Sequence, residues 1–79
     1  MIENENYYVP AFIQDSCMSL FLSGDKNTML DAQNNLEDAS EYFNSHISDV
    51  LIAKIVMIGG SIEVVDLFES NQKSVIIVH

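Results

Sequence analysis

The sequence predicts an α+β domain: an antiparallel sheet of order β-β-α-β-β-β with one long amphipathic helix packed on one face. Three observations predict it. Short aromatic and β-branched runs, "YYVPAFI", "CMSLFLS" and "KSVIIV", stand between polar breakers, as strands do. Apolar residues from Met29 to Ile47 recur at helical spacing. Gly59-Gly60 separates two further apolar runs, where a two-residue hairpin turn demands positive φ.

The elements follow in order. Residues 1–6 are expected to be a flexible leader. Tyr7–Ile13 is the first strand. Pro10 cannot donate to a ladder, which points to an edge strand or a bulge. Gln14-Asp15-Ser16 forms a turn, and Cys17–Ser23 a second strand with Met18, Leu20 and Leu22 on one face and Cys17 and Phe21 on the other. Gly24-Asp25-Lys26-Asn27 breaks the chain. Thr28–Ile47 is one long helix: Thr28 caps it, and Asp31 three residues later completes a capping box with Asp in place of the usual Glu. Met29, Ala32, Leu36, Ala39, Phe43 and Ile47 form its dry stripe, and Asp31, Asn34, Asp38, Glu41 and Ser45 lie on the other side.

The stretch "IVMIGGSIEVVDLFE" (residues 55–69) admits two readings. Val50–Ile58 and Ser61–Phe68 make a hairpin across Gly59-Gly60, as the many β-branched residues before the turn favour. Alternatively, Ser48 caps a second helix that gathers Leu51, Ile52, Ile55, Val56 and Ile58 into one arc and ends at Gly59, giving β-β-α-α-β-β. Composition favours the hairpin. Lys73–Val78 is the last strand, joined through Ser70-Asn71-Gln72.

With 79 residues the chain is a single domain, residues 1–79. At this size folding buries only about 60% of the unfolded chain's surface. Yet 48% of the residues are hydrophobic, so a partner surface or a homodimer is a natural outlet. Twelve Asp and Glu stand against three Lys, with no Arg, for a net charge of −9. That balance argues against direct binding to nucleic acid or anionic membranes and either favours a partner with a basic surface or serves solubility alone. The lone cysteine, Cys17, excludes an internal disulfide and suits a reducing compartment. "MIENENYYVP" has no basic n-region and apolar core of a secretory signal. The longest apolar run, Val50–Ile58, is interrupted by Lys54 and falls short of the roughly 20 residues a membrane span takes. The expected location is the cytoplasm.

Catalytic and metal chemistry find little material. One Cys and two distant His offer no zinc spacing. "DKNTMLDAQNNL" begins like a calcium loop but has Leu30 where glycine is needed and Leu36 where the bidentate Glu is needed. Cys17, in an apolar strand, is expected to be buried and to pack. His46 is expected to be solvated at the helix C-terminus. "GGS" lacks the spacing and lysine of a phosphate loop. No enzyme, cofactor or metal is expected.

The acidic side of the helix carries more. Asp31, Asp38 and Glu41, with Glu37 beside them, are spaced so that neighbours stand about 5–6 Å apart. Such a row can occupy a basic groove built for phosphates, with attraction that steers association and weakens with salt. Tyr7 and Tyr8 supply a candidate anchor, since Tyr is enriched at interface hot spots. The expected partner-binding residues are therefore Asp31, Glu37, Asp38, Glu41, Tyr7 and Tyr8.

A short, Asn- and Ile-rich, Arg-free chain with a carboxylate-studded helix resembles the small acidic proteins that phages make against host defences, the anti-CRISPR and anti-restriction proteins. The resemblance spans the chain, is one of composition without a diagnostic motif, and transfers no functional residues. The charge is moderate for a full DNA mimic and the apolar fraction high. The resemblance implies an inhibitor or modulator of a nucleic-acid-handling host protein, acting in the host cytoplasm and docking through a mixed apolar and acidic surface. Two alternatives stand beside it: a homodimeric structural or regulatory module whose seam is the edge of "YYVPAFI" or "KSVIIV", and an accessory subunit of a larger assembly.

Overall fold

The computed structural model describes residues 5–70. Along the chain come β1 (Glu5–Gln14), β2 (Cys17–Leu20), α1 (Met29–Asn34), α2 (Leu36–Phe43), a 3-10 turn (Ile47–Asp49), β3 (Leu51–Ile58) and β4 (Ser61–Glu69). The strands form one antiparallel sheet in the order β2-β1-β3-β4. The fold is thus α+β, as expected. The expected strand Lys73–Val78 lies outside the described residues. So does most of the expected leader, except that Glu5 and Asn6 belong to β1.

Both hairpins close over two residues. Gln14 pairs with Cys17 across Asp15 (φ 55°) and Ser16 (φ 66°), and Ile58 pairs with Ser61 across Gly59 (φ 55°) and Gly60 (φ 85°). Positive φ at both central positions marks the turn whose twist matches paired strands. Residues 51–58 are therefore strand, and the helical alternative falls. A register shift at Lys54/Ile55 leaves Val65 of β4 as an extra residue.

β1 is not an edge strand. It lies between β2 and β3, and Pro10 pairs with Ile52. Proline is accommodated because a residue's N and C=O point to the same neighbour. The Pro10 carbonyl accepts from Phe21 N at 2.9 Å, so its nitrogen also faces the β2 side, just past the last ladder pair Ala11–Leu20. Farther along that side, Tyr8 N donates to the Lys26 carbonyl at 2.7 Å, so the chain after β2 runs beside β1. The seam expected at "YYVPAFI" is therefore occupied from both sides.

In place of one long helix there are two short ones. The capping box forms as expected: Thr28 Oγ1 accepts from Asp31 N, and Asp31 Oδ2 accepts from Thr28 N, both at 3.1 Å. The break falls at Asn35, with φ −95° and ψ 0°. Asn35 Nδ2 donates to the Asp25 carbonyl at 2.8 Å, and a Cβ at Gly24 would come within 2.9 Å of Asn35 Oδ1. The side chain is pinned to the preceding loop, and that tether kinks the helix. The helix ends at Phe43 rather than Ile47, because Asn44 takes the left-handed conformation (φ 58°, ψ 49°) that closes helices. Ile47, expected in the dry stripe, is exposed in the 3-10 turn.

The sheet's two faces differ. On the helix side, Ala32, Leu36 and Ala39 pack with Val50 and Ile52, and Tyr8, Phe21, Met29, Phe43 and Phe68 close around them. Phe43 stacks on Phe12 of β1, with ring centroids 5.6 Å apart. On the other face a second cluster joins Val9 and Ala11 of β1 to Ala53 and Ile55 of β3, flanked by Tyr7 and Leu20. Among the described residues no helical residue belongs to this second cluster.

Candidate functional site

The helices set the acidic residues on one side of the molecule. Glu37 and Asp38 stand in the first turn of α2 and Glu41 one turn on, all three exposed. First-turn carboxylates also favour the positive end of the helix dipole. Asp31 is different. Its carboxylate is half-buried and accepts from the backbone N–H groups of Asn27 (3.0 Å) and Thr28 (3.1 Å), so it is engaged in holding the helix start.

The two tyrosines, adjacent in sequence, go to opposite faces, as neighbours on a strand must. Tyr8 belongs to the cluster beneath the helices. Tyr7 lies on the far face, and its hydroxyl donates to the Glu5 carboxylate. That bond raises the Tyr7 pKa above the ordinary tyrosine value, with desolvation and the Glu5 negative charge adding to it. Glu37, Asp38 and Glu41 are thus exposed together on α2, while Asp31 is engaged at the start of α1, Tyr8 packs beneath the helices and Tyr7 lies on the far sheet face.

Two recesses accompany these surfaces. An open one of about 360 Å³ at the end of α2 is lined by Ser40, Glu41, Asn44, Ser45 and His46. Ser40 Oγ donates to the Glu37 carbonyl at 2.8 Å, while Ser45 Oγ is buried with no hydrogen-bond partner among the described residues. His46 is exposed, as expected for its position past the helix end. The second recess, about 200 Å³, lies at the far sheet face and is lined by Tyr7, Ile55, Met57 and Ile62 of the strands together with Leu22 and Lys26 of the chain after β2.

Cys17 is exposed, which corrects the expectation of a buried packing thiol. β2 is a four-residue edge strand, and Cys17 opens it beyond the reach of the helices. Among the described residues no three His, Cys, Asp or Glu side chains gather as metal ligands would, and no helix is long and apolar enough to cross a membrane.

The far sheet face was missed in the sequence reading. By register it carries Tyr7, Val9, Ala11 and Ile13 of β1 and Met18 and Leu20 of β2. Leu51, Ala53, Ile55 and Met57 of β3 and Ile62, Val64 and Leu67 of β4 continue it. The signal available was apolar residues at both parities of β3, "LIAKIVMI", which implies two faces wanting cover. No family model, curated protein or solved structure matches the chain.

Proposed function

We propose that this is a non-enzymatic binding protein that inhibits or modulates a larger, nucleic-acid-handling protein by docking the acidic surface of α2 on a basic surface of that partner. The observation that carries the reading is the joint exposure of Glu37, Asp38 and Glu41 on one short helix. With three lysines in the whole chain against twelve acids, internal cations cannot neutralise such a surface, and its field projects outward. Exposed charges act over about 8 Å at physiological salt, enough to orient an approaching cationic groove. A host-defence nuclease is a partner of this chemistry, in keeping with the composition the chain shares with small acidic phage proteins, and the encounter belongs in the cytoplasm. Tyr42, one turn on from Asp38, and Leu30 of α1 are also exposed, which supports a docking surface that mixes acidic and apolar side chains.

The test is affinity capture with the wild type and with Asp38→Lys/Glu41→Lys, eluted in steps of rising salt. The wild type is expected to hold one stoichiometric partner that moderate salt releases. The double variant, both substitutions being on exposed positions, keeps its melting temperature and binds that partner several-fold more weakly. Unchanged affinity removes α2 from the proposal.

A further inference from the structure

We infer that Tyr42 and Asp38 form a clamp for an arginine side chain of the partner, the ring stacking on the guanidinium and the carboxylate pairing with it. This rests on the acidic docking reading and deepens it, by naming the anchor and the cation it takes. Among the described residues Tyr42 is the most exposed of the large apolar side chains, with 68% of its surface in water. A single exposed apolar residue is ordinary, but this ring is also held. Its centroid stands 5.4 Å from that of Phe21 and 5.3 Å from that of Phe43, with the planes tilted by 57° and 69°. Both supports are themselves fixed to β1: Phe21 N donates to the Pro10 carbonyl, and Phe43 stacks on Phe12. The aromatic contacts thus tie the ring to the sheet and leave most of its surface open. A side chain already held loses little freedom when a partner covers it, which suits a hot spot.

Charge selects a cation here, and planarity selects arginine. Asp38 precedes Tyr42 by four residues on α2, so the two side chains are neighbours, about 5–6 Å apart at Cβ. Helical side chains lean toward the preceding turn, which brings the ring toward Asp38. Glu37 and Glu41 form the adjacent exposed pair at the same spacing. Tyr42 lies in the last turn of α2, where the negative end of the helix dipole favours a cation and the helix supplies no basic residue of its own. A cation drawn in by these carboxylates meets the negative face of the ring, and the attraction between them acts within about 6 Å of the ring centre. Lysine brings a strongly hydrated point charge. Arginine brings a weakly hydrated plane that stacks on an aromatic face and presents two N–H groups to one carboxylate.

The experiment titrates the full chain with hexa-arginine and with hexa-lysine at the same ionic strength, following the amide and Tyr42 ring signals by NMR. Circular dichroism checks that each variant is folded. The wild type is expected to bind hexa-arginine about two- to fivefold more tightly than hexa-lysine, the size of one exposed cation–π contact. Tyr42→Phe should keep that preference. Tyr42→Leu should lose it while both peptides still bind through the carboxylates. Asp38→Asn should lose most of it, whereas Glu37→Gln, which removes the same charge from the neighbouring pair, should weaken both peptides alike. Equal binding of the two peptides by the wild type, or a preference that Tyr42→Leu leaves intact, overturns the clamp and leaves acidic docking standing. Failure of both peptides to bind overturns the docking reading and the clamp with it. If Tyr42→Leu does not fold, the wild-type spectra decide. Nuclear Overhauser contacts between the Tyr42 ring and arginine side-chain protons in the saturated complex support the clamp, and their absence overturns it.

Discussion

Replacing Asp31 by alanine separates scaffold from surface. Asp31 Oδ2 accepts from Asn27 N at 3.0 Å and from Thr28 N at 3.1 Å, and Thr28 Oγ1 accepts from Asp31 N at 3.1 Å. Removing the carboxylate strips two donors of their partner at the start of α1. Both donors are exposed and water replaces the bond, so the cost stays near that of an ordinary cap, about 1 kcal/mol. In a domain of this size that lowers the melting temperature by about 4–8 °C. Thr28→Ala should cost a similar amount. The double variant should cost less than the sum, because either loss already frays the same turn. Thermal melts of the four proteins followed by circular dichroism measure this. A melt of Asp31→Ala that matches wild type refutes the capping role. Loss of partner binding without loss of stability would return Asp31 to the docking surface.

Ile52 is fully buried between the helices and the sheet, so Ile52→Ala should cost about 2–5 kcal/mol in urea unfolding, and a cost below about 1 kcal/mol would mean the core sits elsewhere. Ser16 holds φ 66° where glycine is at ease, so Ser16→Gly should stabilise by about 0.5–1 kcal/mol, whereas Gly60→Val at φ 85° should destabilise by about 1–2 kcal/mol. The same denaturation curves read both signs, and equal effects would contradict the turn geometry. The raised Tyr7 pKa favours the protonated phenol in the folded state, so its contribution is fully present below the unfolded tyrosine pKa of about 10 and is lost as pH rises through the higher folded value. Tyrosinate absorbance of wild type minus that of Tyr7→Phe should show a late titration that Glu5→Ala brings earlier; a curve indifferent to Glu5→Ala would dismiss the contact.

What local chemistry dictates was legible in the chain. The two-residue hairpin at Gly59-Gly60 follows from backbone sterics, the box at Thr28 and Asp31 from unpaired N–H groups, and the stripe from Met29 to Phe43 from helical period. What depends on distant partners was not. The kink at Asn35 is set by Asp25 and Gly24, which only the folded loop brings near. Pro10 suggested an edge, yet its nitrogen faces the end of β2, a register detail no single strand contains. Asp31 looked like a member of the acidic row because spacing counts carboxylates without asking what they already hold. The far sheet face escaped notice because its residues come from four strands and form a patch only once strand order is known.

The placement of β1 carries a consequence for how the chain reaches its native state. The two hairpins are local and can form within microseconds. The sheet closes only when Glu5 finds Met57 and Ala11 finds Leu51, across more than half the chain. That pairing carries the loop-closure entropy of everything between, and it sets the pace of folding. During synthesis the first hairpin emerges early and must wait, its β3-facing edge open, until β3 has cleared the ribosome. The chain therefore gains most of its cooperativity late and all at once, and truncations before residue 58 should yield isolated hairpin and helix fragments rather than a shorter domain.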